Sequence, residues 1–82
     1  MKIKFFFKKD CPKCPAAKEV VSKFGEWVES YDLDTVDGLA EGAFMQVMST
    51  PTTIVVDEQG REIRSWRGTV PSEAQLRELI FP

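Results

Sequence analysis

Residues 3–15 of the chain read IKFFFKKDCPKCP, and this stretch decides the fold. Ile3, Phe5 and Phe7 alternate with lysines at the period of a β-strand, and the additional Phe6 predicts that both faces of this strand are covered. Two cysteines follow, separated by two residues and each succeeded by a proline. The stretch therefore predicts a buried strand that leads through a cysteine-containing turn into the next element.

A helical pattern begins directly after this turn. Four apolar residues fall at positions i, i+3, i+4 and i+7 and form one stripe: Ala17, Val20, Val21 and Phe24. Gly25 then occupies a position at which helices commonly end. The turn with the two cysteines is therefore expected to lie at a strand-to-helix junction.

Three further strands are predicted from alternating and β-branched residues, over residues 27–33, 52–56 and 61–66. The last two are joined by a tight reversal over residues 57–60, which predicts an antiparallel hairpin. The first strand, helix and second strand should form a right-handed crossover with parallel strands.

Two further helices have recognisable starts. Asp37 is expected to cap a short helix over residues 38–47, although two glycines weaken this helix by about 1 kcal/mol each relative to alanine. Ser72, with Gln75 three residues later, forms the capping-box pattern at the start of the last helix. The order β-α-β-α-β-β-α predicts an α/β fold with a four-stranded mixed sheet and helices on both faces.

Length and charge exclude several classes of protein. The 82 residues predict a single domain over residues 1–82, and the net charge of −2, with both signs interspersed, indicates no binding of nucleic acid. No apolar stretch is long enough for a signal-peptide core or a membrane span. We therefore expect a cytoplasmic protein without a membrane partner, whose cysteines are thiols rather than a structural staple.

Cys11 and Cys14 have the spacing that dithiol chemistry needs. One thiolate attacks a disulfide to form a mixed disulfide, and the neighbouring thiol resolves it by attacking the first sulfur. Cys11 precedes the first helical turn and is expected to be the exposed attacker, whereas Cys14 lies within that turn and is expected to be partly buried. No bound cofactor is needed, because the two sulfurs carry the electrons.

The attacking thiol must be partly ionised at neutral pH, and a helix N-terminus lowers the pKa of a cysteine. Pro12 and Pro15 lack a backbone N–H, so the N–H groups of Lys13 and Cys14 are expected to remain free for the Cys11 sulfur. Nearby lysines favour the thiolate, and Asp10 opposes them.

Two other roles are open to the cysteines, a structural staple and a metal site. As a staple, a loop this short contributes about 2 kcal/mol, less than a longer loop would. As a metal site, two thiolates are half of a tetrahedral set, and the chain has no histidine and no third cysteine. Metal binding would therefore require a non-enzymatic dimer with paired cysteine loops, or carboxylate ligands.

A second motif makes a family resemblance specific. Cys11-Pro12-Lys13-Cys14 after the first strand, together with Thr50-Pro51 before the third, resembles the thioredoxin superfamily over nearly the whole chain. The resemblance implies that the Thr50–Pro51 bond is cis, that Pro51 lies against the cysteine loop, and that the Thr50 backbone pairs with an extended substrate. Pro12, Lys13, Thr50 and Pro51 are accordingly assigned to substrate binding.

The short chain is similar to a glutaredoxin-like thioredoxin, but it departs from the familiar motifs. Asp10 replaces the tryptophan usual before the first cysteine of thioredoxins, and Phe5 replaces their buried acidic residue. Lys13 replaces the tyrosine of the glutaredoxin motif, and residues 66–72 lack the aspartate pair that binds glutathione. These departures favour protein disulfides as substrates, with a glutathione-dependent glutaredoxin as the alternative. We also expect a monomer that is served by an upstream reductase.

Overall fold

The computed structural model describes residues 1–82. The elements are, in chain order, β1 (Lys2–Phe7), α1 (Cys14–Ser22), a 3₁₀ turn (Gly25–Trp27), β2 (Val28–Asp32), α2 (Val36–Phe44), β3 (Thr52–Val56), β4 (Glu62–Arg67) and α3 (Glu73–Ile80). The predicted order of strands and helices is confirmed. None of the three helices has the length and apolar character that crossing a membrane requires.

The four strands form one mixed sheet in the order β2-β1-β3-β4. β1 pairs parallel with β2, as a right-handed crossover requires, and antiparallel with β3, while β3 and β4 form the predicted antiparallel hairpin. β1 and β3 are thus the central strands, and every residue of β3 is buried. The predicted four-stranded mixed sheet is confirmed.

The core has two layers because neighbouring residues of β1 point to opposite faces of the sheet. Phe5 faces α1 and α3, where it packs in a cluster with Val21 and Leu76, among others. Phe6 faces the other side, where it packs with Ile54 and Val56. Both phenylalanines are fully buried, so the prediction that both faces of β1 are covered is confirmed.

Helix α2 lies close to β2 because glycines face the strand. A Cβ atom on Gly38 would overlap the backbone carbonyl of Asp32, and one on Gly42 would lie 2.7 Å from Cδ2 of Leu33. The glycines that weaken this helix in isolation are therefore the residues that let it approach the sheet. On the same face, Lys4 Nζ of β1 forms a 2.6 Å ion pair with Glu41 Oε2 of α2.

The cap of α2 differs from the prediction. Thr35, and not Asp37, is the N-cap, and its Oγ1 accepts a 3.0 Å hydrogen bond from the Gly38 N–H. Thr35 has the extended backbone of a capping residue, with φ −103° and ψ 158°, whereas Asp37 already lies in the first helical turn. The helix consequently covers residues 36–44 instead of 38–47.

Other boundaries shift by a few residues. α1 ends at Ser22, and Gly25, with φ +49°, begins the 3₁₀ turn that takes up Trp27, so β2 starts one residue later than predicted. β4 likewise runs from residue 62 to 67 because Asp57 Oδ1 accepts hydrogen bonds from the N–H groups of Gln59 and Arg61, which extends the turn. The capping box of Ser72 and Gln75 is confirmed.

Candidate active site

The sheet brings the cysteine motif and the Thr50–Pro51 motif to the same end of its central strands. Phe6, near the end of β1, pairs with Thr52, the first residue of β3, and Thr52 in turn pairs with Arg67 at the end of β4. The loop that follows β1 and the segment before β3 therefore leave the sheet at the same end. The first carries the cysteines, and the second carries Thr50 and Pro51.

Cys11 and Cys14 are joined by a disulfide bond, with their Cα atoms 5.3 Å apart. Cys14 is the first residue of α1, and Lys13 is its N-cap. The Lys13 carbonyl accepts a 3.2 Å hydrogen bond from the Ala17 N–H, which is the first regular bond of the helix. The pair thus lies at the predicted junction, in the oxidised form of a dithiol.

The backbone donors are arranged differently from the prediction. The Cys14 N–H is not free, because it donates a 3.2 Å hydrogen bond to the Cys11 carbonyl. In a regular helix the N–H of residue 15 would donate to the Cys11 carbonyl, but Pro15 has no N–H. The N–H of Cys14 therefore donates to this carbonyl instead, across three residues rather than four. Of the two donors that were predicted to face the Cys11 sulfur, only the Lys13 N–H remains.

The predicted difference in exposure between the cysteines is also wrong for the disulfide form. Cys11 is 8% exposed and Cys14 is 6% exposed, so both belong to the buried part of the molecule. Pro12 and Lys13, which lie between them, are exposed. The two middle residues of the turn are therefore exposed to solvent, and both cysteines are buried.

A cavity of about 320 Å³ opens beside the disulfide. It lies between the end of β1 and the start of α1, and its lining includes Phe7, Lys8, Lys9 and Lys18 together with both cysteines. Lys18 is not among the site residues predicted from the sequence. Its position four residues after Cys14, and therefore on the same side of the helix, is the signal that could have identified it.

A second cavity, of about 210 Å³, lies between the end of β2, helix α2 and the segment before β3. Its lining includes Thr50, Leu39 and Met48, and Lys8 borders both cavities. Met48 is 94% exposed and Leu39 is 60% exposed, so this cavity presents apolar side chains to solvent beside the polar residues Lys8, Asp34 and Ser49.

The peptide bond between Thr50 and Pro51 is cis, the isomer that the family resemblance implies. The Pro51 carbonyl accepts a 2.8 Å hydrogen bond from the Gly68 N–H, and the Thr52 hydroxyl donates a 2.8 Å bond to the Ser49 carbonyl. Neither backbone polar group of Thr50 makes a hydrogen bond within the chain. Thr50 is thus held on both sides and keeps its own N–H and C=O available.

No acidic side chain lines the cavity at the disulfide. Phe5, which replaces the acidic residue of thioredoxins, is fully buried and stacks on Phe7 with ring centroids 5.7 Å apart. The carboxyl groups with a displaced pKa lie elsewhere: hydrogen bonds from Arg61 lower the pKa of Asp57 in the hairpin, and hydrogen bonds from Arg77 lower that of Glu73 at the start of α3. No three side chains of His, Cys, Asp or Glu cluster as ligands for a metal ion.

The chain is similar to known proteins in its sequence family and in its fold. A family model described as a thioredoxin domain matches residues 1–81. Among solved structures, thioredoxin 1 from Thermosipho africanus is 23% identical with a TM-score of 0.67, and the alignment covers 98% of this chain and 90% of that chain. A thioredoxin from Thermus thermophilus is 26% identical with a TM-score of 0.67, covering 94% and 68%.

A third structure is thioredoxin-2, a component of malaria parasite protein secretion machinery. It is 23% identical with a TM-score of 0.72, and the alignment covers 95% of this chain and 78% of that chain. No curated protein matches the sequence significantly. These structures share the fold over nearly all of the chain.

Proposed function

Because this chain belongs to the thioredoxin superfamily, we propose that it reduces protein disulfides by dithiol exchange through Cys11 and Cys14. Its fold and its cysteine pair are those of a thiol–disulfide oxidoreductase in general. The observation that carries the proposal is the location of the disulfide, which lies at the start of α1 and borders a cavity open to solvent.

The reaction starts from the reduced chain. The Cys11 thiolate attacks one sulfur of the substrate disulfide, a mixed disulfide forms, and the other substrate sulfur leaves as a thiolate that takes up a proton. The Cys14 thiolate then attacks the Cys11 sulfur, which releases the second substrate sulfur and forms the Cys11–Cys14 disulfide. Two electrons have passed to the substrate, and an upstream reductase restores them together with two protons.

The position of each cysteine in the chain supports its role. Cys11 lies in a loop outside the helix, next to exposed Pro12, and it borders the cavity through which a substrate sulfur would approach. Cys14 lies in the first helical turn, where its backbone N–H is bound to the Cys11 carbonyl. The partial positive charge at the helix N-terminus stabilises a thiolate at this end of α1.

Substrate binding is assigned to both sides of the disulfide. The free backbone N–H and C=O of Thr50 can pair with an extended polypeptide in the manner of an added β-strand. Pro51 fixes the position of this segment, because its carbonyl is bound to Gly68 at the end of β4. Exposed Pro12 and Lys13 then contact the substrate from the opposite side.

The test is the reduction of insulin disulfides with dithiothreitol as electron donor. The wild-type protein should accelerate the reaction, and Cys11→Ser should abolish the acceleration. A parallel assay uses a glutathione mixed disulfide of a small thiol as substrate. Dominant turnover of that substrate would overturn the proposal in favour of a glutathione-dependent glutaredoxin, and metal bound to the purified reduced protein would favour the dimeric binding module.

A further inference from the structure

Lysines border the disulfide, and none of them is paired with a carboxylate. Lys8, Lys9 and Lys18 line the cavity beside the cysteines, and no acidic side chain joins them there. A fourth lysine, Lys13, lies on the exposed turn between the cysteines. The protein as a whole has a net charge of −2, so this local excess of positive charge runs against the overall balance.

Most other cationic side chains of the protein are neutralised. Five of them form ion pairs with a carboxylate: Lys4 with Glu41, Lys23 with Glu73, Arg61 with Asp57, Arg67 with Glu62, and Arg77 with Glu73. None of the four lysine ammonium groups around the disulfide takes part in such a pair. The lysines at the site thus retain their full capacity to attract an anion.

Three carboxylates adjoin the lysines in the chain or through a hydrogen bond: Asp10, Glu19 and Asp34. Asp34 Oδ2 accepts a 3.0 Å hydrogen bond from the backbone N–H of Lys9, and Asp34 belongs to the lining of the second cavity. Asp10 is exposed and forms no ion pair. With Asp10, Glu19 and Asp34 all counted, the four lysines still leave a local excess of one positive charge.

We propose that this lysine patch, defined as Lys8, Lys9, Lys13 and Lys18, selects protein disulfides whose cysteine is flanked by Asp or Glu. The inference rests on the proposed function and specifies its substrate class. Like charges repel and unlike charges attract across a few ångströms, and a patch of one sign raises the rate at which an oppositely charged partner is captured. An acidic segment would bring its cysteine to Cys11 faster than a neutral or basic segment.

The shape of the site favours a polypeptide over a small anion. The cavity of about 320 Å³ is at the lower limit for sites that enclose a small ligand. The positive charge also extends beyond the cavity to Lys13 on the exposed turn. The free backbone N–H and C=O of Thr50 are further hydrogen-bond partners, and an extended polypeptide can pair with both.

The experiment compares three peptides of equal length with one intramolecular disulfide each, flanked by Glu, Gln or Lys. The rate of reduction by the fully reduced protein is measured at low and at high salt. We expect the Glu peptide to react about tenfold faster than the Gln peptide at low salt, which is the lower end of electrostatic steering, and the ratio to approach one at high salt. The Lys peptide should be the slowest.

Two double variants remove the same charge at different places. In Lys9→Gln/Lys18→Gln the Glu-to-Gln ratio should fall toward one. The matched control, Lys2→Gln/Lys23→Gln, removes two lysines outside the cavity lining and should keep the ratio of the parent. The ratio is the readout because it cancels any change in the intrinsic reactivity of Cys11.

The outcomes separate the two proposals. Equal rates for the Glu and Gln peptides would overturn the inference and leave the reductase function intact. Faster reduction of a small dicarboxylate disulfide than of the Glu peptide would overturn the polypeptide as occupant. If no peptide is reduced, the proposed function fails, and NMR titration of the oxidised protein with a Glu-rich, cysteine-free peptide decides the inference: shifts at Lys9 and Lys18 support it, and unchanged spectra overturn it.

Discussion

The backbone N–H of Gly68 donates a 2.8 Å hydrogen bond to the carbonyl of Pro51, and this bond ties the end of β4 to the segment before β3. Gly68 has φ +76°, and a Cβ atom at this position would lie 3.3 Å from Oγ of Ser49. The residue that follows the hairpin therefore helps to position the segment assigned to substrate binding. The positive φ favours glycine at this position, and a Cβ atom would press against the Ser49 side chain.

The first prediction compares Gly68→Ala with Gly60→Ala. Both glycines have positive φ, and alanine should cost about 1–2 kcal/mol of unfolding free energy at either position. A Cβ at Gly60 would have no neighbour within 4 Å, so this variant is a control for the backbone cost alone. Only Gly68→Ala should also lower the rate of insulin reduction. Equal loss of activity in both variants would contradict the positioning role of Gly68.

The second prediction concerns the start of α2. Thr35→Ala removes the hydroxyl that accepts from the Gly38 N–H and should lower the free energy of unfolding by about 0.5–2 kcal/mol in urea denaturation. Asp37→Ala removes a carboxylate in the first turn and should cost only about 0.3–1 kcal/mol through the helix dipole. A larger loss for Asp37→Ala would restore Asp37 as the cap.

The third prediction separates the two glycines of α2. Gly38→Ala places a methyl group on the Asp32 carbonyl, which is backbone and cannot move aside, so most molecules should fail to fold or should unfold at much lower urea concentration. Gly42→Ala meets the end of the Leu33 side chain, which can rotate, and gains up to about 1 kcal/mol of helix propensity. Urea unfolding monitored by circular dichroism checks the order, and similar midpoints would refute it.

The fourth prediction is a difference between the two cysteine variants. Cys14→Ser should leave Cys11 able to attack and unable to release the substrate, because the chain has no other thiol. After incubation with a cell lysate, this variant should accumulate covalent complexes that dithiothreitol dissolves, and Cys11→Ser should trap almost none. Since both cysteines are similarly buried in the disulfide form, brief alkylation of the reduced protein is the complementary measurement, with Cys11 expected to react first. Equal trapping or equal alkylation would remove the assignment of attacker and resolver.

The fifth prediction concerns high pH. Burial raises the pKa of Tyr31 to about 12, and the hydrogen bond from its hydroxyl to Glu29 and the negative charges of Glu29 and Glu41 add to this effect. In the unfolded chain a tyrosine ionises near pH 10, so the folded state binds more protons between about pH 10 and pH 12 and loses stability as the pH rises through this range. Tyr31 is the only tyrosine, so tyrosinate absorbance follows it directly. Glu29→Gln should lower the pKa, and an unchanged titration would exclude Glu29 as a cause.

The features that local sequence determines were predictable. The capping box of Ser72 and Gln75 involves residues three apart, and the alternation around Phe5 depends only on the period of a strand. The location of Cys11 and Cys14 at the start of a helix also follows from their neighbours in the chain. These predictions needed no knowledge of what packs against each element.

The features that depend on distant residues were missed. The burial of Cys11 depends on how the loop settles against the end of the sheet, and sequence spacing does not contain that information. Gly38 counts as a weak helix residue until β2 is seen to approach it. Likewise, whether Lys18 forms an ion pair can be decided only from the three-dimensional positions of all carboxylates in the fold.

The three consecutive phenylalanines of β1 do not by themselves determine the register of the strand, and the ion pair between Lys4 and Glu41 does. If the strand slipped by one residue, Phe6 would turn to the α1 side and Phe5 and Phe7 to the other side, so each face would still carry at least one phenylalanine. The same slip would turn Lys4 away from Glu41 and into an entirely apolar cluster, and an unpaired buried charge costs about 3–5 kcal/mol. The ion pair thus disfavours a one-residue register shift of β1 that the three phenylalanines alone would permit.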